Sequence, residues 1–197
     1  IGRLIGNSFE IVESVYCLQG KGPSDLEELV CAQGGHLMFI NGQAPSVEKG
    51  IEAIRQTLHD GSALAKFHAM LIAQGVAPDV ASVVVSENPW NILPKSPVVT
   101  PFRASSSGFT ADLDAMKLAV TLRELGAGRL VASDKIKFGV GMELHTAPGS
   151  EILAGAVWLE VFSEEPLNES QVAQISNSIL ITPSAPHIRP RILEIIE

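Results

Sequence analysis

The chain has 197 residues, 46% of them hydrophobic, which suits one large domain or two small ones with a real buried core. Fourteen basic residues against 22 acidic ones give a net charge of −8, spread without blocks, which argues against a nucleic-acid surface. No apolar run reaches membrane-spanning length, and no secretory signal is present.

The first part reads as helical. Asn7 with Glu10 resembles a capping box, and Ile11, Val15 and Leu18 make one face. Gly20-Lys21-Gly22-Pro23 breaks that helix, and Ser24 with Glu27 predicts a capping box for a second, running to about Ile40. Gly34-Gly35 in its middle is costly by propensity, so close packing against another backbone is expected there. Ser46 starts a third helix, with Val47, Ile51, Ile54 and Leu58 on one face, and Ser62 starts a fourth, closed by Gly75 and Pro78. A short fifth covers Asp79 to Val85.

The composition then shifts. Asn88 to Pro97 holds three prolines and reads as a linker. Strands are expected near Val98–Arg103, Gly108–Ala111, Ile136–Leu144 and Ala156–Phe162, with Ser105-Ser106-Ser107 as a loose hairpin tip. From Leu113 to Leu125 a mostly buried helix carries a thin polar stripe of Asp114, Lys117, Thr121 and Glu124. Asp112 or Thr110 can cap its start, and Gly126 can take the left-handed turn that ends it. The last helical pattern is Glu169–Ser178, capped by Asn168, and two short strands are expected at Ile179–Thr182 and Ile192–Ile195. The sum is a helical segment followed by an α+β segment rich in antiparallel strands. The chain opens on Ile1 rather than Met, and its first six residues have no helix start of their own, so a piece of a longer protein is expected.

Few residues announce chemistry. The five histidines, His36, His59, His68, His145 and His187, make no metal-ligand spacing such as His-x-x-x-His. Cys17 and Cys31 are expected as two buried free thiols in a reducing compartment, and Trp90 and Trp158 as core or interface. Gly126-Ala-Gly-Arg129 could cradle a phosphate, but it follows a helix, whereas phosphate loops precede one; a helix C-terminus is the structural reading. Asp114-Ala-Met-Lys117-Leu is similar to the Ala-Met-Lys-Met of biotin carriers. There the lysine stands on a tight hairpin, and here Lys117 falls within a helical period.

The order Gly108-Phe109, Asp114, Gly126-Ala-Gly-Arg129, Ala132-Ser-Asp-Lys-Ile136 and Val140-Gly141 resembles the C-terminal domain of the pyrimidine nucleoside phosphorylases, most of all those acting on thymidine. The likeness runs in order from Ile1–Glu13 through Lys21-Gly22-Pro23 and Asp60–Leu64 to Ala185-Pro186, over about the second half of the family's chain. The resemblance implies a fold class of α/β plus α+β. Residues 1–90 would be the helical part of an incomplete central α/β domain, 91–97 a linker, and 98–197 a hammerhead-like α/β domain. It implies the cleavage of thymidine by phosphate to thymine and 2-deoxyribose 1-phosphate in a cytoplasmic homodimer without an organic cofactor. The phosphate- and base-binding groups would come from the missing N-terminal half, so no catalytic residue is carried onto this chain. Potassium is the one ion implied, held by the carbonyls of Ile1 and Leu4 and the side chain of Glu13, all oxygen ligands that suit a hard cation. A non-catalytic docking domain and, through Lys117, a biotinyl-type carrier are the alternatives.

Overall fold

The computed structural model describes residues 2–129 and 131–195. It is a mixed α/β fold in which contacts define two compact units, one of Gly2 with 11–93 and 191–195, the other of 3–10 with 94–190. A linear division at 91–97 therefore leaves out two exchanges, Arg3–Glu10 and the segment after Pro190. Among the described residues no helix is long and apolar enough to cross a membrane.

The helical unit contains most of α1 (Asn7–Leu18), then α2 (Ser24–Ile40), α3 (Val47–His59), α4 (Ser62–Ala73) and α5 (Pro78–Val84). Its small core gathers Cys17, Cys31 and Leu58, flanked by Leu26, Ile51, Ile54 and Ala63. The expected close approach at Gly34-Gly35 is present. A Cβ on Gly35 would stand 2.6 Å from the backbone nitrogen of Ile51, and one on Gly50 would run into the Gly35 carbonyl. The two helices are in van der Waals contact along their backbones, which only glycine permits. Ser46 caps α3 by accepting from Lys49 N–H, as its position predicts. Ser24 does not cap α2: the helix begins at Ser24 itself, Pro23 sits at the N-cap, and no side chain closes it. Proline pre-sets the entry of the chain and leaves the serine inside the first turn. Residues 192–195, expected as a strand, are irregular; Arg191 beside them pairs with Glu28 of α2 at 2.7 Å, and the helical unit offers no strand to join among the described residues.

The other unit holds two antiparallel sheets. One has the order β1 (Leu4–Ile5), β4 (Gly141–Leu144), β6 (Val157–Ser163), β2 (Val98–Arg103); the other has β5 (Glu151–Ile152), β3 (Gly108–Leu113), β7 (Ile179–Thr182). Helices α6 (Ala115–Leu122) and α7 (Glu169–Ser176) complete it. Leu118 and Leu122 of α6, Ile175 of α7, Met142, Leu159 and Val161 of the larger sheet and Ile152 of the smaller one share a single core. Trp158 is 1% exposed and meets Phe102 at 6.3 Å between ring centroids, so it belongs to that core. Phe9, at the start of α1, packs on Phe162 at 5.0 Å.

Three expectations are corrected here. Ser105–Ser107 is not a hairpin tip: β2 pairs with β6 and β3 with β5 and β7, so the serines carry the chain from one sheet to the other. The strand expected over Ile136–Leu144 is confined to Gly141–Leu144, because Lys137 N–H bonds to Gly126 O and Val140 N–H to Lys137 O, which makes a turn where a ladder was expected. The helix from Leu113 starts two residues later, since β3 extends through Leu113 opposite Ile179; Asp114, rather than Asp112 or Thr110, caps it by accepting from Lys117 N–H. Gly126 does take the left-handed conformation, at φ 103°, within a wide turn over Arg123–Ala127.

Candidate functional site

Of the three expected ion ligands, Ile1 lies outside the described residues. Leu4 stands in β1, opposite Glu143 of β4, in the strand-rich unit. Glu13 stands in α1 in the helical unit, where it is 8% exposed. Its carboxylate presses against Gly2, leaving no room for a Cβ there, and the Gly2 N–H is held by Asp25 Oδ2 at 3.0 Å. A buried carboxylate beside a backbone turn is a hard oxygen donor of the kind an alkali or alkaline-earth ion takes.

The Gly126–Arg129 turn presents acceptors. Gly126 O accepts from Lys137 N–H at 2.9 Å, and Ala127 O accepts from Asn7 Nδ2 at 2.7 Å. A phosphate needs converging N–H donors, and carbonyl oxygens repel it, so the turn is a helix terminus and not a cradle. Glu10 accepts from Gly6 N–H at 3.1 Å, so the start of α1 is closed by this carboxylate one residue before the expected Asn7 cap.

Lys117 lies on α6, with its ammonium 2.9 Å from Asp114 Oδ2 and 3.1 Å from the Asn177 carbonyl. The Lys117 ammonium and backbone N–H both bond to Asp114 and hold that carboxyl below the usual carboxylate range. A lysine clamped on a helix lacks the projecting hairpin on which a carrier lysine is offered to its ligase.

The cysteines are free and buried. Burial, reinforced by Glu27, pushes the Cys17 thiol up; burial also pushes up Cys31, against the opposing pull of Arg55. Thiols so placed are poor nucleophiles. His59 lies at the end of α3 with Nε2 3.4 Å from Glu27 Oε1, and His68 meets Ser82 Oγ at 3.2 Å.

One constellation has no counterpart in the linear spacing. Glu143, His145 and Glu160 each bring one ligand atom to within 4.8 Å of the others, and His145 Nε2 lies 3.0 Å from Glu160 Oε2. The signal available in the chain is Glu143-x-His145, two apart and so on one face of a strand; Glu160 joins them only through the β4–β6 register.

Residues 109–182 match the family profile described as pyrimidine nucleoside phosphorylase C-terminal domain. Thymidine phosphorylase of Homo sapiens is 34% identical over 194 residues, covering 96% of this chain and 40% of that protein. Thymidine phosphorylase of Rattus norvegicus is 35% identical over 194 residues, with 96% and 41% covered. Pyrimidine-nucleoside phosphorylase of Staphylococcus haemolyticus is 32% identical over 185 residues, with 94% and 41% covered. The chain therefore spans about two fifths of the length of the curated relatives it matches.

Proposed function

We propose that the chain is the C-terminal part of an enzyme of the pyrimidine nucleoside phosphorylase family, to whose C-terminal domain and members it is similar, and that the enzyme cleaves thymidine with phosphate to thymine and 2-deoxyribose 1-phosphate. The observation that carries this reading is the similarity to thymidine phosphorylase along 96% of the chain. Residues 1–90 supply the helical part of an incomplete central α/β domain, and residues 98–197 are its hammerhead-like partner domain.

Phosphorolysis places positive charge on the sugar and negative charge on the departing base. It needs donors for the phosphate and the base, held in a site closed to water. The acceptor-lined turn at Gly126–Arg129 and the clamped Lys117 support a scaffold role for this part, with the donors coming from the rest of the polypeptide. The assembled protein is a cytoplasmic homodimer that uses no organic cofactor. Potassium sits at Glu13 with the carbonyls of Ile1 and Leu4; the burial of the Glu13 carboxylate against Gly2 supports it as an ion ligand.

The test is thymine release followed by ultraviolet absorbance, with and without phosphate. It is run on the 197-residue chain, on the full-length polypeptide, and on the full-length Glu13→Gln variant in potassium and in tetramethylammonium. The expected pattern is no turnover by the chain alone and phosphate-dependent turnover by the full polypeptide, faster in potassium only when Glu13 is intact. Turnover by the chain alone overturns the scaffold role. No turnover by the full polypeptide overturns the enzyme and leaves a docking domain.

A further inference from the structure

Along β4 the side chains alternate. Met142 and Leu144 enter the core, against Val161 and Leu159 of β6. Glu143 therefore points to the other face, and His145, the next residue of that parity, follows it; His145 N–H still bonds to the Trp158 carbonyl at 2.9 Å, so the pairing continues to this point. Directly opposite Glu143 in the ladder is Glu160. Two like charges facing each other across an antiparallel pair oppose the pairing, and strands ordinarily place opposite charges there. The third member of the group is not a lysine or arginine. It is an imidazole, 3.0 Å from the Glu160 carboxylate.

We propose that Glu143, His145 and Glu160 form a three-ligand site for a divalent transition-metal ion, with zinc as the ion best matched to one imidazole and two carboxylates. The three ligand atoms already lie within 4.8 Å of one another. Ligand atoms on a shared zinc, each about 2.0–2.2 Å from it, stand roughly 3–4 Å apart, so rotation of one carboxylate closes the set. The ligands rise from two paired strands whose backbones are fixed by the core beneath, and backbone rigidity is what a short-bonded ion requires. His145 and Glu160 keep 35% and 32% of their side-chain surface open, which gives the ion a path in and leaves room for water in the remaining position. Imidazole favours zinc, nickel and cobalt over magnesium and calcium. The bound ion neutralises the opposed carboxylates and ties β4 to β6 across the middle of the larger sheet. This site rests on no catalytic reading of the chain, and it uses none of the residues assigned to potassium.

The full 197-residue chain, stripped with chelator, is titrated with zinc chloride by calorimetry and melted at each zinc level; cobalt chloride replaces zinc for a visible absorption spectrum. One equivalent should bind, and at a hundred-fold excess over Kd the strand-rich unit should melt about 10–20 °C higher. His145→Asn and Glu160→Gln should each weaken zinc binding about tenfold or more and lose the cobalt bands. Glu143→Gln distinguishes a metal site from a merely crowded surface. With its charge gone, the metal-free chain should melt higher than wild type, yet gain less from zinc. A wild-type chain that shows no zinc-dependent rise overturns the proposal. So does a rise that survives in both His145→Asn and Glu160→Gln, because the ion would then be seated on other histidines.

Discussion

Gly35 illustrates how a single hydrogen in place of a methyl group determines a helix pair. By propensity alone, replacing a mid-helix glycine with alanine stabilises by about 0.5–1 kcal/mol. At Gly35 the new Cβ would stand 2.6 Å from Ile51 N and 2.9 Å from Ile51 Cα, and backbone cannot step aside. Gly35→Ala is therefore expected to destabilise the helical unit by about 1–3 kcal/mol, as overpacking does. At Gly34 the Cβ meets only the Ile54 side chain, at 2.8 Å, which can change rotamer, so Gly34→Ala should cost under about 1 kcal/mol. Urea unfolding followed at 222 nm reads both; equal losses would remove close backbone approach as the reason for the first. This much was legible in the chain, because a Gly-Gly pair inside a helical period has few other uses. The partner, Gly50, was not, since nothing in its own surroundings marks the residue that faces it.

Helix ends separate by the same kind of argument. Asn168 and Gln171 form a reciprocal capping box at the start of α7, each side chain holding the other's backbone N–H. Ser24 holds nothing at the start of α2. Asn168→Ala should cost about 1 kcal/mol and raise amide exchange in α7, while Ser24→Ala should change stability by no more than a few tenths of a kcal/mol; exchange mass spectrometry with urea titration compares them. A comparable loss at Ser24 would mean that its hydroxyl closes the helix after all. Strands were harder to bound than helices. Ile136 to Leu144 alternates in hydropathy throughout, but a strand needs a partner as well as a pattern. Phe138 is 57% exposed, and the N–H of Ser96 and of Ser8 bond to the Gly139 and Phe138 carbonyls, so the first half of that run bends through a turn. Pairing is a property of distant segments, and for that reason the serines at 105–107 gave no sign that they join two sheets. The Glu143, His145 and Glu160 group was hidden for the same cause, with its third ligand fifteen residues from the second.

At the level of the molecule the two units differ in what holds them. Among the described residues, a single buried cluster of eleven residues holds the strand-rich unit and a cluster of three lies in the helical one, so the first should be the last to open. Hydrogen exchange on the intact chain should find core amides of β4 and β6 protected by several orders of magnitude more than those of α3 and α4; similar protection in both would show one cooperative unit. A helical segment followed by antiparallel strands was readable from hydrophobic period. The inclusion of Arg3–Glu10 in the strand-rich unit was not, because a two-residue strand carries no period to detect. That inclusion has a consequence for synthesis. Leu4 and Ile5 leave the ribosome long before Glu143 and Met142, the residues they pair with. At 5–20 residues per second the wait is roughly 7–28 s. During it Phe9 has no Phe162 to pack on, and Leu4 and Ile5 are unpaired on the nascent chain, available to any chaperone that recognises apolar residues. The larger sheet thus acquires its first-made strand against a strand made much later, and the helices between them are translated, and free to fold, before it can close.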